Sequence, residues 1–328
     1  MRVAVIGLGM IGKLHARILI EKKMNICALC DVDTDKVKTQ CNAWGIDLPV
    51  YSDWKIMLQE AKPDVVHICT PHYLHAEMVV ACLQRNIHVL CEKPMCIRKE
   101  DISLIVKAEK SSNAILGVCH QNRYNDVNVF LKQYLCGKEI LSAHGTVVWK
   151  RDKAYYSQAE WRGKWLTEGG GVLINQALHT LDLMQWFCGT PQTVKGQMDN
   201  FSLDGAIEVE DTAMLLCDGR RRFTFYATNA GGCDMETEIR LKLKSGENIV
   251  AFPDALSINN EIVSKEDMAV VLGKCCYGNG HEKLIADFYE CIETGRSFSI
   301  NGEEAAKVVR IILGAYESQG QTITIDEV

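Results

Sequence analysis

The chain opens on an apolar run, Val3-Ala4-Val5-Ile6, followed at once by Gly7-Leu8-Gly9-Met10-Ile11-Gly12 and a helical stretch to Lys23. Strand, glycine-rich turn and helix in that order leave few folds open. The first glycine serves a tight turn, the second lets a pyrophosphate approach the backbone, and the third allows helix-on-strand packing. A helix N-terminus offers its N–H groups to phosphates, so Gly7, Gly9, Met10, Ile11 and Gly12 are candidate cofactor-binding residues. A second apolar run, Ile26-Cys27-Ala28-Leu29-Cys30, ends at Asp31. An acidic residue about 20 positions past the fingerprint is placed to accept from the adenosine ribose. The glycines alone are weak evidence; the ordered set points to a dinucleotide. Asp31 repels a 2′-phosphate, and Val32-Asp33-Thr34-Asp35 supplies no arginine to clamp one, so NAD is favoured over NADP.

Residues 1–122 alternate short β-branched runs (2–6, 25–30, 64–69, 87–91, 115–120) with helical segments (11–23, 34–43, 53–61, 73–85, 99–112). That alternation predicts an α/β, Rossmann-type parallel sheet with helices on both faces. From about residue 140 the pattern changes. One helical block at 172–188 precedes consecutive strand-like runs at 192–202, 208–217, 221–229, 235–243 and 247–252. Strands without intervening helices predict an α+β second domain, 123–328, with an open, mainly antiparallel sheet. Two helices near 280–294 and 303–317 close the chain and are free to pack back on the first domain. Ligands are expected in the crevice beyond the strand C-termini.

Composition narrows the partners. The 328 residues suffice for two cores, and a net charge of −6 argues against a general nucleic-acid surface. Arg220-Arg221-Arg222 follows Asp218-Gly219 between two strand-like runs and reads as a solvated hairpin. No apolar run is long enough to span a membrane, and Arg2 leads straight into the first strand without a signal peptide, so a cytoplasmic location is expected. The 15 cysteines are scattered through strands and helices, which fits free thiols rather than a disulfide framework. Cys27 and Cys30 would point to opposite faces of a strand. Cys275-Cys276 lacks further ligands nearby, and so do His72 and His75, so no metal site is expected.

Two constellations carry chemistry. Glu92-Lys93-Pro94 follows the run 87–91, at the C-terminal end of a parallel strand. A lysine there can stabilise a developing alkoxide, or move a proton if burial lowers its pKa. The second is Gly169-Gly170-Gly171-Val172-Leu173-Ile174-Asn175-Gln176-Ala177-Leu178-His179-Thr180-Leu181-Asp182. On a helix, Asn175, His179 and Asp182 fall on one polar stripe. His179 is the natural base near neutrality, with an unperturbed pKa of about 6.5. Asn122, Arg123 and Tyr124 at the junction reach the nicotinamide or substrate, or else make an ordinary hinge contact. Trp161 and Arg162 are candidates for the wall of the site. Glu282, Asp287 and Glu290 read as a solvated face.

Together these pieces resemble the Gfo/Idh/MocA oxidoreductase family over essentially the whole chain. The resemblance rests on the 7–12 fingerprint, Thr70-Pro71-His72-Tyr73-Leu74-His75, Glu92-Lys93-Pro94 and the glycine triplet through His179. Trp161-Arg162-Gly163 and Tyr277-Gly278-Asn279-Gly280-His281 add to it. It implies NAD- or NADP-linked oxidation or reduction of a secondary alcohol of a sugar, glycoside or inositol-like polyol. It further implies catalytic Lys93 and His179 and a cis Lys93–Pro94 peptide. The cofactor-binding set extends to Thr70, Pro71, His75, Glu92, Lys93, Asn122 and Arg162, and the substrate set is Lys93, Tyr124, Trp161, Asn175 and His179. Many members carry Asp where this chain has Asn175. Asn cannot exchange a proton, yet it donates and accepts hydrogen bonds, so Asn175 is assigned positioning, His179 the base role, and Lys93 alkoxide stabilisation or proton relay. A homodimer or homotetramer follows by the same analogy. A redox-neutral, NAD-dependent glycosidase-type enzyme and an NAD- and sugar-binding regulatory protein are the competing readings.

Overall fold

The computed structural model describes residues 1–266 and 278–325; Cys275, Cys276 and Tyr277 lie outside the described residues. The chain divides into two compact units that no single cut separates. The first holds Met1–Cys96, Glu100–Cys119 and Leu284–Glu304; the second holds Ile97–Lys99, His120–Lys283 and Ala305–Val328.

The first unit alternates β1 (Arg2–Ile6), α1 (Met10–Glu21), β2 (Asn25–Cys30), α2 (Thr34–Trp44), β3 (Val50–Tyr51) and α3 (Trp54–Ala61). It continues through β4 (Val65–Ile68), α4 (His75–Leu83), β5 (His88–Glu92), α5 (Lys99–Lys110) and β6 (Leu116–Cys119). The six strands form one parallel sheet, ordered β3-β2-β1-β4-β5-β6. β4 and β6 are buried at every position, which is why they read as unbroken apolar runs rather than alternating ones. Strand order reverses at β1, which pairs with β2 on one side and β4 on the other. The glycine-rich turn leaves the C-terminal end of that strand, the place where open α/β sheets bind ligands. The short edge strand β3 escaped the sequence pattern because two residues carry no period.

Residues 284–304 complete this unit. The Val118 N–H donates to the Ile300 carbonyl at 2.9 Å, extending the bonding beyond β6. The rings of Phe288 and Phe298 meet edge to face, with centroids 5.4 Å apart. They close over Gly117, where an added Cβ would lie 2.8 Å from Phe288 Cδ2 and 2.9 Å from Phe298 Cδ1.

The second unit contains α6 (Asp126–Tyr134), β7 (Ile140–Val148), α7 (Lys153–Tyr156), α8 (Leu178–Cys188), β8 (Thr193–Asp199), β9 (Thr212–Asp218) and β10 (Phe223–Thr228). It continues with β11 (Glu238–Leu243), β12 (Asn248–Ala251), β13 (Ala255–Ile258) and β14 (Glu261–Lys265). α9 (Gly280–Thr294) and α10 (Gly302–Ser318) straddle the division, and β15 (Ile323–Thr324) ends the described chain. Among the described residues nine strands make a mixed sheet, ordered β14-β13-β12-β11-β7-β10-β9-β8-β15. All its pairs are antiparallel except β7 with β10. β7 sits at the centre yet was not among the strand-like runs. Its His144-Gly145 step breaks the apolar pattern, and Gly145 is needed because a Cβ there would lie 2.8 Å from the Phe225 ring and 3.1 Å from Met184 of α8. The opposite face leaves Met214 and Leu216 exposed. The run 218–222 is the expected β9–β10 hairpin, closed by a 2.7 Å Asp218–Arg222 ion pair, but Arg221 is half-buried and donates to the Phe187 and Lys138 carbonyls rather than to solvent. The described cysteines are free thiols, most of them buried. No described helix is long and apolar enough to cross a membrane.

Gly117→Ala is expected to cost about 1–3 kcal/mol through overpacking against two rings. Thermal denaturation would show it as a lower midpoint, and an unchanged midpoint would mean that residues 284–304 do not close over β6.

Candidate functional site

In the first unit each fingerprint glycine meets a different surrounding. Gly7 has φ +86°, and a Cβ there would lie 2.6 Å from the Cys69 carbonyl oxygen. A Cβ on Gly12 would fall 1.7 Å from the Gly7 carbonyl oxygen, so helix and turn touch backbone to backbone. Gly9 faces open space, with nothing within 4 Å of the added atom. It is the N-cap of α1, which has no side-chain cap and no acidic residue in its first turn. By contrast, α2 and α3 are capped by Asp33 and Asp53. The α1 N-terminus, formed by Met10, Ile11 and Gly12, is therefore fitted to take an anion from outside the chain. Asp31 Oδ2 accepts the Leu8 N–H at 2.6 Å and Oδ1 accepts the Asp33 N–H at 3.0 Å. The carboxylate is half-buried, and its remaining lone pairs suit a ribose diol. These residues fit a dinucleotide.

Lys93 stands half-buried at the end of β5, before a cis peptide to Pro94, as the resemblance implied. Beneath it runs a buried polar chain. Lys93 N–H donates to Glu92 Oε2 at 3.2 Å, Glu92 Oε1 lies 3.0 Å from His15 Nε2, His15 Nδ1 lies 2.8 Å from His67 Nδ1, and His67 Nε2 lies 3.0 Å from the Tyr289 hydroxyl. With neutral rings the protons run one way, from Tyr289 to His67, from His67 to His15, and from His15 to the Glu92 carboxylate. Burial pulls His67 well below its ordinary pKa, reinforced by the neighbouring His15. Glu92 is thus a support under Lys93. His75 is a second support. Its Nδ1 meets the Pro94 carbonyl at 2.7 Å and its Nε2 the Thr70 carbonyl at 2.9 Å, tying the Thr70-Pro71 turn to the lysine loop. Burial lowers its pKa, against the two carbonyls, which favour the charged ring.

In the second unit the glycine triplet is walled on three sides. An added Cβ would lie 2.4 Å from Ile97 Cβ at Gly169, 2.0 Å from the Tyr316 hydroxyl at Gly170, and 1.8 Å from the Glu210 carbonyl oxygen at Gly171. Glu210 is buried; Oε2 accepts the Gly171 N–H at 2.8 Å, and Oε1 accepts the Leu173 N–H at 3.0 Å and the Tyr316 hydroxyl at 2.9 Å. Burial pushes its carboxyl up to about 7, against those hydrogen bonds. This anchoring corrects one expectation. Residues 172–176 are turns, and α8 begins only at Leu178. The Ala177 N–H reaches back to the Val172 carbonyl at 2.8 Å, too wide a turn for an α-helix. Asn175 and His179 nevertheless both stay partly exposed. In the stretch 168–185 they alone are not buried.

Asp182, the third member of the expected stripe, turns inward. Arg123 Nε and Nη2 bond its two oxygens at 2.7 and 2.6 Å, and His120 Nδ1 lies 3.6 Å away. Burial raises the Asp182 carboxyl, but Arg123 and His120 outweigh it and bring it down to about 2. Arg123 is therefore an anchor. Its neighbours Asn122 and Tyr124 are half-buried, and Asn122 Oδ1 is a buried acceptor without a partner among the described residues. Arg162 stacks on Tyr155, 4.4 Å from guanidinium carbon to ring centroid, and lies 5.6 Å from the half-buried Trp161 ring. Sequence reasoning missed Glu168 and Glu210. Glu168 stands directly before the triplet, where a carboxylate next to strained glycines was a usable signal. Glu210 lies in a strand-like run and gave none.

Comparison with known proteins follows the same division. Residues 1–120 match the family model described as oxidoreductase family, NAD-binding Rossmann fold, and residues 138–242 match the GFO/IDH/MocA C-terminal domain. Myo-inositol 2-dehydrogenase of Thermotoga maritima is 25% identical over 213 residues, 64% of this chain and 60% of that protein. The match thus spans less than two thirds of that relative's length. Among solved structures, the WlbA dehydrogenase from Bordetella pertussis, in complex with NADH and UDP-GlcNAcA, superposes with TM-score 0.85 at 24% identity over 99% of this chain and 98% of that one. Levoglucosan dehydrogenase, in complex with NADH and levoglucosan, gives TM-score 0.87 at 21% identity over 99% of each chain.

Gly9→Ala is expected to keep wild-type thermal stability yet weaken NADH binding at least about tenfold, the worth of a hydrogen bond to a charged group. Gly12→Ala should destabilise the fold outright, by about 1–3 kcal/mol or more. Calorimetric titration and melting curves separate the two. A second expectation concerns pH. The folded-state pKa values of His67 and His75 are depressed, so their stability contribution is complete above about pH 6.5, the unfolded value. It is lost as pH falls through the folded values. Melting temperature should drop on acidification from pH 7 to pH 5, and less so in His75→Gln, whose amide keeps N–H donors without titrating; equal slopes would remove His75 from the account.

Proposed function

Because the chain belongs to the Gfo/Idh/MocA oxidoreductase family, we propose that it is an NAD-dependent dehydrogenase acting on a secondary hydroxyl of a sugar, glycoside or inositol-like polyol. The observation that carries this reading is the partial exposure of Asn175 and His179 alone in the stretch 168–185. An amide and an imidazole left partly exposed in one otherwise buried segment suit a hydroxylated ligand: one orients a hydroxyl, the other takes its proton. The uncapped α1 N-terminus and open Gly9 hold the pyrophosphate, and Asp31 holds the adenosine ribose and disfavours a 2′-phosphate. NAD, when bound, supplies the hydride acceptor. His179 accepts the hydroxyl proton and Asn175 fixes the orientation of the substrate. Lys93, held by Glu92 and His75, stabilises the alkoxide or passes the proton on. Thr70, Pro71, Asn122 and Arg162 belong to the cofactor-binding set in this reading, and Tyr124 and Trp161 to the substrate set. The exposed Met214 and Leu216 on the second sheet support self-association as a dimer or tetramer.

NADH appearance with a panel of inositols, sugars and glycosides tests the reading. Turnover of one class is expected, with NAD preferred to NADP, and with a fall of about 10²–10⁴-fold in Lys93→Ala and His179→Ala. Tight NAD binding with a silent panel would overturn it, as would substrate conversion without net NADH, which belongs to a redox-neutral enzyme.

A further inference from the structure

Glu168 precedes the glycine triplet and is wholly buried. Its Oε2 accepts the Gly163 N–H at 2.5 Å, and its Oε1 accepts the Asn175 side-chain N–H at 2.5 Å. A carboxylate accepts hydrogen bonds and donates none. Turning the Asn175 amide over would set Oδ1 against Glu168 Oε1, two acceptors at contact distance with no proton between them. Glu168 therefore decides which end of the amide is held inward. Nδ2 stays on the carboxylate and Oδ1 is turned to the other side. The carboxylate is thus kept behind the surface, and the partly exposed Asn175 presents a neutral side chain in front of it. The phenols of Tyr156 and Tyr316 are among the ionisable groups that feel Glu168, with Glu210 beyond, bonded to Tyr316.

We propose that Glu168 is a positioning residue that fixes Asn175 Oδ1 as the acceptor for a second substrate hydroxyl, beside the one that loses its proton to His179. This rests on the dehydrogenase reading, in which Asn175 meets the substrate. The pair then selects a diol. A hydroxyl offers Oδ1 a proton, whereas an ether or carbonyl oxygen at that carbon presents a second acceptor and is rejected.

Three variants test the pair: Glu168→Gln, Asn175→Asp and the double swap. In Asn175→Asp two carboxyl groups face each other at the distance now bridged by an N–H, so one must keep a proton and its folded pKa rises. Stability should match wild type near pH 4, then fall by several degrees in melting temperature as pH rises through that raised value. In Glu168→Gln, the introduced side-chain carbonyl keeps the Gly163 N–H and the introduced amide N–H faces Asn175. Asn175 turns over to accept it, Nδ2 points outward, and melting is unchanged at every pH. KM for the active polyol should rise about tenfold, the worth of one hydrogen bond, with kcat changed less. The preference for the free diol over its mono-O-methyl derivative should shrink. In Glu168→Gln/Asn175→Asp the donor and acceptor trade places. The introduced amide donates to the introduced carboxylate, an acceptor again points outward, and both the pH profile and KM should return toward wild type. A role in folding alone would make the two losses add. A wild-type pH profile in Asn175→Asp, or a double variant no better than the worse single one, overturns the pair whatever the panel shows. A wild-type protein that turns over no polyol instead sinks the dehydrogenase reading and the diol role with it, while melting still decides whether the pair exists.

Discussion

Carboxylates, most of them buried, that hold backbone N–H groups are the constraint on which the loops of the candidate sites depend. Loops that carry chemistry cannot satisfy their backbone within a helix or sheet, and an unpaired buried N–H costs about as much as a lost hydrogen bond. Here an acid does the work each time. Asp31 takes the Leu8 N–H of the glycine turn, Glu92 that of Lys93, Glu168 that of Gly163, and Glu210 those of Gly171 and Leu173. Asp211 does the same for Phe201, Ser202 and Leu203. Bonds from N–H to an ionised acceptor are stronger than neutral ones, so these loops are stiff where regular structure is absent.

Stiffness has an electrostatic consequence. A buried acid is costly unless paired or hydrogen-bonded, and the two units meet that cost differently. In the second unit Asp182 is answered by Arg123 with two short bonds, and its carboxyl stays ionised far into acid. Glu210 has only backbone and phenol donors, and burial raises its carboxyl toward neutrality. In the first unit Glu92 is met by a histidine chain whose inner member, His67, burial disfavours as a cation. Charge near the lysine loop and near the triplet is therefore set by which partner each acid found.

Much of this was legible in the sequence. The first unit was readable almost strand by strand because parallel strands are buried on both faces and appear as short apolar runs between helices. The fingerprint glycines were legible because each answers a steric demand that no other residue meets, as the Gly12 contact with the Gly7 carbonyl illustrates. Asn175 and His179 were legible as the polar positions of an apolar stretch, although the helix assumed to carry them starts at Leu178. β7 was not legible, since His144 and Gly145 interrupt its alternation and its place is fixed by Phe225 and Met184. The division of the chain was legible only in part: the late helices were free to pack back on the first domain, but that residues 284–304 are the part that joins it depends on the cover they give β6.

By itself the sequence determined the dinucleotide turn, the order of strands and helices in the first unit, and the polar residue types set into the apolar stretch after the glycine triplet, since periodicity and glycine sterics act between near neighbours. Only the tertiary structure decided how those residues are aimed. Glu210 reaches Gly171 across 39 residues and is itself met by Tyr316 across 106. Arg123 removes Asp182 from the surface across 59. A carboxylate finds its donor through space, and no local pattern records which one it will be.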